Sequence, residues 1–211
     1  MAGKVVIVGA SMAGLRVAEQ LRALMPDVAL TMVGEEAHLP YNRPPLSKDF
    51  LAGTGEDQVA PETLAFKIRA SLADVRWMLG EAAVSADIAR GTLALAGGAT
   101  LDFDGLVIAT GLRPRRLGYA HGSDRRFALR TVDDALRLRG AIGPTDRLAI
   151  IGAGFIGLEL AATLSGKTAA VTVVEPAREP LERVLGAEIG AALRGVHERR
   201  GVVLRCGRQV V

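Results

Sequence analysis

The amino terminus carries an unbroken apolar run, Val5-Val6-Ile7-Val8, that stops at Gly9. Beyond it Leu15, Val17, Ala18, Leu21, Leu24 and Met25 fall at near-helical spacing until Pro26 ends the pattern, and residues 28–33 form a second apolar run. This order predicts strand, glycine-rich turn, helix and strand, a βαβ unit. The pattern returns from Leu148, with a strand Leu148-Ala149-Ile150-Ile151, a turn at Gly152, a helix over residues 158–164 and a strand over 170–174. Strands that are apolar throughout argue for parallel sheets covered on both faces, so the chain reads as α/β.

Shorter segments lie between the two units. Residues 75–79, 82–86 and 92–95, with a turn at Gly97-Gly98, read as a small antiparallel insertion. Gly105-Leu106-Val107-Ile108-Ala109-Thr110-Gly111 reads as a buried strand ending in a turn, followed by the arginine-rich connection Arg113-Pro114-Arg115-Arg116. Residues 133–142 predict a connecting helix stopped by Gly143-Pro144, and after a loop at Pro176 and Pro180 come a helix over 188–200 and a third strand over 201–205. Dinucleotide-binding sheets usually have about five or six strands. A second sheet of three leaves an apolar face and a parallel edge open, which predicts that these 211 residues are a fragment or depend on another chain.

Composition narrows the function classes. With 49% hydrophobic and 23% charged residues the chain is a folded one, and no apolar run approaches the roughly 20 residues of a membrane span. A net charge of +3 with dispersed arginines does not indicate nucleic acid binding. The strand begins almost at the first residue, without a basic region or cleavage site before it, so secretion is not expected and the cytosol is. A single cysteine, Cys206, excludes an intrachain disulfide and a dithiol centre, and three scattered histidines suggest no metal site. Cys206 reads as a buried structural thiol, and Trp77 as a core residue.

The chemistry lies in the turns. Gly152-x-Gly154-x-x-Gly157 is a complete dinucleotide fingerprint: Gly152 allows the tight turn, Gly154 lets backbone approach a pyrophosphate, and Gly157 lets the helix lie close to the strand. Glu175, at the end of the next strand, can accept hydrogen bonds from ribose hydroxyls and repels a 2′-phosphate, which favours NAD over NADP. The first fingerprint, Gly9-x-Ser11-x-x-Gly14, has serine at its second position; Glu35 is its ribose candidate, with Glu36 as the alternative. Two nucleotide folds in one chain imply electron movement between two nucleotides. In Pro40-Tyr41-Asn42-Arg43-Pro44-Pro45-Leu46-Ser47-Lys48-Asp49 the prolines stiffen a loop, Ser47 is expected to cap a short helix, and Arg43 and Lys48 bring positive charge towards an anionic cofactor. The alternative for Lys48 is a plain surface lysine, the lesser of its two readings, whereas Glu159, between Leu158 and Leu160 on an apolar helix, needs a partner. Arg183 is read either as reaching the adenosine end of NAD or as a surface charge, and His38 as a solvated loop residue or a partner contact.

Three segments carry a resemblance: Val8-Gly9-Ala10-Ser11-Met12-Ala13-Gly14, the Pro-Tyr-Asn-Arg-Pro-Pro-Leu-Ser-Lys string, and Ile151-Gly152-Ala153-Gly154-Phe155-Ile156-Gly157-Leu158-Glu159 followed by Glu175. Together, in order over nearly the whole chain, they resemble the flavoprotein ferredoxin reductases of bacterial oxygenase systems. Those reductases serve aromatic-ring dioxygenases and cytochrome P450 chains, within the pyridine nucleotide-disulfide oxidoreductase superfamily. The resemblance implies two Rossmann-like parallel-sheet units, the second inserted in the first and both truncated at the C-terminus. Residues 1–112 would be the N-terminal part of an FAD-binding domain, 113–145 a linker with its helix, and 146–211 the N-terminal part of an NAD-binding domain. It also implies FAD contacts at Ala13, Glu35, Lys48 and Val84, helped by Arg43, with Ala109-Thr110-Gly111 as the strand-end turn beside the FAD and Phe155 near the nicotinamide.

By the same resemblance Lys48 and Glu159 lie at the isoalloxazine, the lysine stabilising reduced flavin and the glutamate holding the lysine and orienting the nicotinamide amide. The implied reaction passes hydride from NADH to FAD, then single electrons to a ferredoxin or rubredoxin-type iron–sulfur protein. Related disulfide reductases, coenzyme A disulfide reductases and NADH oxidases carry one or two cysteines near the flavin, but residues 35–55 contain none, so electrons would leave the flavin directly. The alternatives are an NADH oxidase-like or apoptosis-inducing-factor-like flavoprotein, and a nucleotide-binding fragment without turnover.

Overall fold

The computed structural model describes residues 3–53, 58–118 and 122–210, and the structural statements below concern those residues. In chain order the elements are β1 (Lys4–Val8), α1 (Met12–Leu24), β2 (Ala29–Gly34), α2 (Asp49–Ala52), β3 (Arg76–Leu79), β4 (Ala83–Asp87), β5 (Thr92–Leu95), β6 (Thr100–Asp102) and β7 (Gly105–Ile108). Then follow α3 (Val132–Ala141), β8 (Arg147–Ile151), α4 (Phe155–Leu164), β9 (Ala170–Glu175), α5 (Glu182–Leu185), α6 (Ala187–Arg199) and β10 (Val202–Cys206). They form two compact units, Met1–Asn42 with Pro61–Arg115, and Arg43–Ala60 with Arg116–Val211.

In the first unit the strand order is β3-β2-β1-β7, all parallel. Ile7, Leu15, Ala18, Leu30, Met32 and Leu72 pack one face of this sheet against α1. Glu19, buried on that helix, is neutralised by Arg16 at 2.6 Å and Arg69 at 3.2 Å, which offsets the cost of enclosing its charge. Residues 75–79 correct the expected insertion: β3 joins the parallel sheet beside β2, and Trp77 packs against its core. A four-residue strand carries too little pattern to show which sheet it joins, and burial of its neighbours makes that choice. The antiparallel sheet is instead β4-β5-β6, with Thr100–Asp102 as the third strand and a turn at Gly98. Its inner face, Leu93 and Leu95, packs against Val6 and Val33.

The second unit holds the parallel sheet β10-β9-β8. Leu158, Ala161 and Leu164 of α4 close over Val171, Val173, Val202 and Leu204, and Leu51 of α2 joins the same core. Burial alternates along β8, so Leu148 and Ile150 meet the core while Arg147, Ala149 and Ile151 are exposed. One face of this sheet is therefore covered among the described residues, and not both. α3 starts with a complete capping box, Thr131 accepting from the Asp134 amide and Asp134 accepting from the Thr131 amide. Hydrogen bonds to Thr131, Arg137 and Arg130 outweigh the upward push of burial and hold the Asp134 carboxyl below the ordinary aspartate range. Cys206 is half buried against the core, and burial raises its thiol above the usual value. No described helix is long and apolar enough to cross a membrane.

Candidate nucleotide sites and the lysine–glutamate pair

In the second unit β8 runs into Gly152, which adopts a φ of +99°, a region that glycine enters without strain. A Cβ on Gly157 would stand 2.0 Å from the Gly152 carbonyl oxygen, so the turn and the first turn of α4 touch backbone to backbone. Gly154 is the N-cap of α4, and a Cβ there would meet nothing within 4 Å. Side-chain bulk is thus excluded at Gly157 by the fold itself and at Gly154 only by whatever approaches from outside. Phe155, Ile156 and Ile151 stand about half exposed around the turn. The Glu175 carboxylate accepts the Ala153 amide at 2.8 Å with one oxygen and the Ala177 amide at 2.9 Å with the other, which fixes it at the mouth of the turn. Arg183 is exposed on α5.

The first turn is built the same way. Gly9 has a φ of +118°, and a Cβ on it would lie 2.1 Å from the Ala109 carbonyl oxygen; one on Gly14 would lie 2.0 Å from the Gly9 oxygen. The Ala109-Thr110-Gly111 turn therefore packs directly on Gly9, tied by the Ala109 amide to the Val8 carbonyl at 2.7 Å. Ser11 is the N-cap of α1 and Ala13 is exposed in its first turn. α1 and α4 are the two described helices of ten or more residues with no acidic residue in the first turn, and neither has a side-chain cap, whereas α3 and α6 carry acids there. An N-terminus left without negative charge or cap suits a phosphate, so both turns fit a dinucleotide pyrophosphate.

Beside the first turn Glu35 makes a two-pronged ion pair with Arg113 at 2.8 and 2.7 Å. β2 and β7 flank β1, so this pair spans the carboxyl end of β1 where the turn begins. Glu36 accepts the Tyr41 hydroxyl at 2.5 Å, which leaves Glu35 as the more exposed of the two carboxylates. Val84 is 68% exposed on β4, at the point where the β4–β5 register slips by one residue.

The loop segment of the second unit ends in a 3₁₀ turn over Pro44–Ser47 that leads into α2. Lys48 Nζ meets Glu159 Oε2 at 2.8 Å, and Ser47 Oγ donates to the same oxygen at 2.5 Å. Ser47 is not the expected helix cap; its hydroxyl is drawn away from α2 by the Glu159 carboxylate. Burial pushes the Glu159 carboxyl up, but hydrogen bonds from Lys48 and Ser47 and the ammonium charge prevail and hold it below the ordinary glutamate range. α3 and the turn after α4 hold this segment: Arg139 donates to the Phe50 carbonyl at 3.1 Å and lies over the Phe50 ring, and Lys167 donates to the Ala52 carbonyl. Arg43 donates to the Arg130 carbonyl at 2.7 Å. His38 meets Tyr41 edge to face.

The resemblance pairs Lys48 with Glu159, and the two side chains meet in the structure; sequence reasoning missed Ser47 as a second partner of Glu159 and Arg113 as the partner of Glu35. Serine and arginine are common, and nothing local marks one that bonds a carboxylate far along the chain.

Residues 3–211 match the family model described as pyridine nucleotide-disulphide oxidoreductase. The ferredoxin--NAD(+) reductase component of the p-cumate 2,3-dioxygenase system of Pseudomonas putida is 41% identical over 210 residues, covering 97% of this chain and 50% of that protein. Putidaredoxin reductase of the same species is 37% identical, covering 98% of this chain and 49% of that protein. The crystal structure of the covalent putidaredoxin reductase–putidaredoxin complex superposes with a TM-score of 0.90 at 35% identity, over 100% of this chain and 51% of that one. The ferredoxin reductase for the CYP199A2 system of Rhodopseudomonas palustris gives 0.89 at 35%, over 99% and 51%. The chain spans about half the length of the relatives it matches. With paired glycine turns, uncapped helix starts and a match along almost its whole length, the chain belongs to the pyridine nucleotide-disulphide oxidoreductase family.

Proposed function

We propose that this chain is the nucleotide-binding part of an NADH-dependent, FAD-containing reductase that hands electrons to a ferredoxin- or rubredoxin-type iron–sulfur protein. The observation that carries the reading is the Lys48–Glu159 ion pair at 2.8 Å, two residues past the last glycine of the second turn. The relatives named as ferredoxin--NAD(+) reductase components support the choice of donor and acceptor class. FAD, when bound, supplies a ring that takes up hydride and gives electrons up one at a time.

In this reading the first turn, with Gly9, Ser11, Ala13 and Gly14, holds the FAD pyrophosphate and Glu35 its ribose, while Val84, Ala109, Thr110 and Gly111 complete the cofactor site. Gly152, Gly154 and Gly157 receive the NADH pyrophosphate and Glu175 accepts from its ribose hydroxyls, with Arg183 at the adenosine end and Phe155 and Ile156 walling the nicotinamide side. Lys48 offers a positive charge already in place, so no reorganisation is needed when negative charge develops near it. Glu159, ionised at neutral pH by its low pKa, holds that ammonium and limits its swing. With no cysteine in residues 35–55, no dithiol relays the electrons there.

The test is flavin reduction by NADH in stopped flow with the chain loaded with FAD. Lys48→Ala should slow reduction by about tenfold or more while NADH affinity stays within about twofold. An effect confined to affinity refutes the role of Lys48, and a chain that binds NADH but takes up no flavin favours the non-catalytic alternative.

A further inference from the structure

Glu159 and Thr163 stand one turn apart on α4 and share a face, and both reach the same residue of the facing segment. Ser47 donates its hydroxyl to Glu159 Oε2 at 2.5 Å, and Thr163 Oγ1 donates to the Ser47 carbonyl at 2.7 Å. Ser47 is thus gripped by side chain and main chain from two positions of one helix, and is only 4% exposed. Its hydroxyl is also within 3.4 Å of the Pro44 carbonyl, a longer and weaker contact than the one to the carboxylate. Lys48 has a different character: its side chain is 45% exposed, with four rotatable bonds, and it shares its ammonium between Glu159 Oε2 and the Pro44 carbonyl at 3.2 Å. A half-exposed lysine does not by itself set the orientation of a carboxylate. A buried serine, pinned at its backbone, does.

We propose that Ser47 is a positioning residue for the Lys48–Glu159 pair: its hydroxyl anchors one carboxylate oxygen of Glu159, and Thr163 fixes where that hydroxyl stands. Lys48 then meets a carboxylate held in one place. This rests on the reading of the pair as the working group of the reductase. It adds a residue that touches neither nucleotide in that reading and acts through Glu159 alone.

The experiment uses the 211-residue chain and has two arms. In the first, carbon-13 NMR follows the Glu159 side-chain carboxyl through a pH titration without any nucleotide, in wild type, Ser47→Ala, Ser47→Thr and Thr163→Val. Removal of the hydroxyl donor should move the Glu159 midpoint up towards the ordinary glutamate value. Ser47→Thr, which keeps an Oγ, should hold it near wild type, and Thr163→Val should move it part of the way. Ser47→Ala removes a single buried oxygen, and its melting curve reports whether it folds. An unmoved midpoint in folded Ser47→Ala overturns the proposal. In the second arm, the FAD-loaded chain is reduced with NADH, and Ser47→Ala should lose about tenfold in reduction rate with unchanged NADH affinity. A moved midpoint with an unchanged rate leaves Ser47 as the anchor of Glu159 and overturns instead the assignment of the pair to the reaction.

Discussion

Two glycines of one turn should lose different properties to the same added methyl group, Gly157 its stability and Gly154 its binding. A Cβ on Gly157 would sit 2.0 Å from the Gly152 carbonyl oxygen, a backbone atom that cannot rotate aside, so α4 has to move off the sheet by about 1 Å to restore contact distance. Overpacking of that kind costs about 1–3 kcal/mol. For a chain of this length it lowers the melting temperature by roughly 2–10 °C. Gly154 has a φ of −78° and open space beside it, so alanine fits there; the gain of about 0.4–1 kcal/mol from restricting the unfolded chain is offset by alanine's being a poorer N-cap than glycine, and the melting temperature should stay near wild type. That methyl projects where a pyrophosphate would approach the amides at the start of α4. Loss of one charge-assisted hydrogen bond of about 1.5–3 kcal/mol weakens NADH binding by about tenfold or more. Thermal melts and calorimetric NADH titrations of Gly154→Ala and Gly157→Ala separate the two effects. If Gly154→Ala binds NADH like wild type, or if Gly157→Ala melts with wild type, the backbone-approach argument for this turn is wrong.

Glu175→Arg should weaken NADH binding and relax discrimination against NADPH, checked by the ratio of the two dissociation constants; an unchanged ratio places ribose recognition elsewhere. His197 is buried with its Nδ1 unpartnered, and burial followed by the Arg200 charge lowers its pKa below the usual 6.5. The unfolded chain therefore takes up that proton first, so His197 contributes a loss of stability as pH falls from about 6.5 through its folded-state pKa. Replacement by leucine should flatten that part of a Tm-against-pH curve, and an identical slope would count against it. Thr131→Ala breaks the capping box of α3 and should cost about 1 kcal/mol in urea unfolding, against almost nothing for Thr131→Ser.

Local pattern was enough for much of this molecule. Both βαβ units, the helix after each glycine turn and the strands that flank them follow from spacing of apolar residues, because helix and strand periodicities are set by backbone geometry over a few residues. The need for a partner at Glu159 was also legible, since a carboxylate on an apolar helix is costly unless it is paired. Lys48 as that partner came from the family resemblance alone, and Ser47 came from neither pattern nor resemblance. Ser47 and Glu159 are 112 residues apart, and a serine before a lysine in a proline-rich loop looks like a helix cap until the fold brings a carboxylate to it. Glu35 and Arg113, 78 residues apart, meet only because β2 and β7 both lie against β1. β3 chose its sheet in the same way, by burial beside β2 and not by four residues of pattern. Periodicity, glycine spacing and the cost of a lone charge are short-range and survive in one dimension; hydrogen bonds and sheet neighbours act across a few ångströms of space, and only the folded chain decides which residues share it.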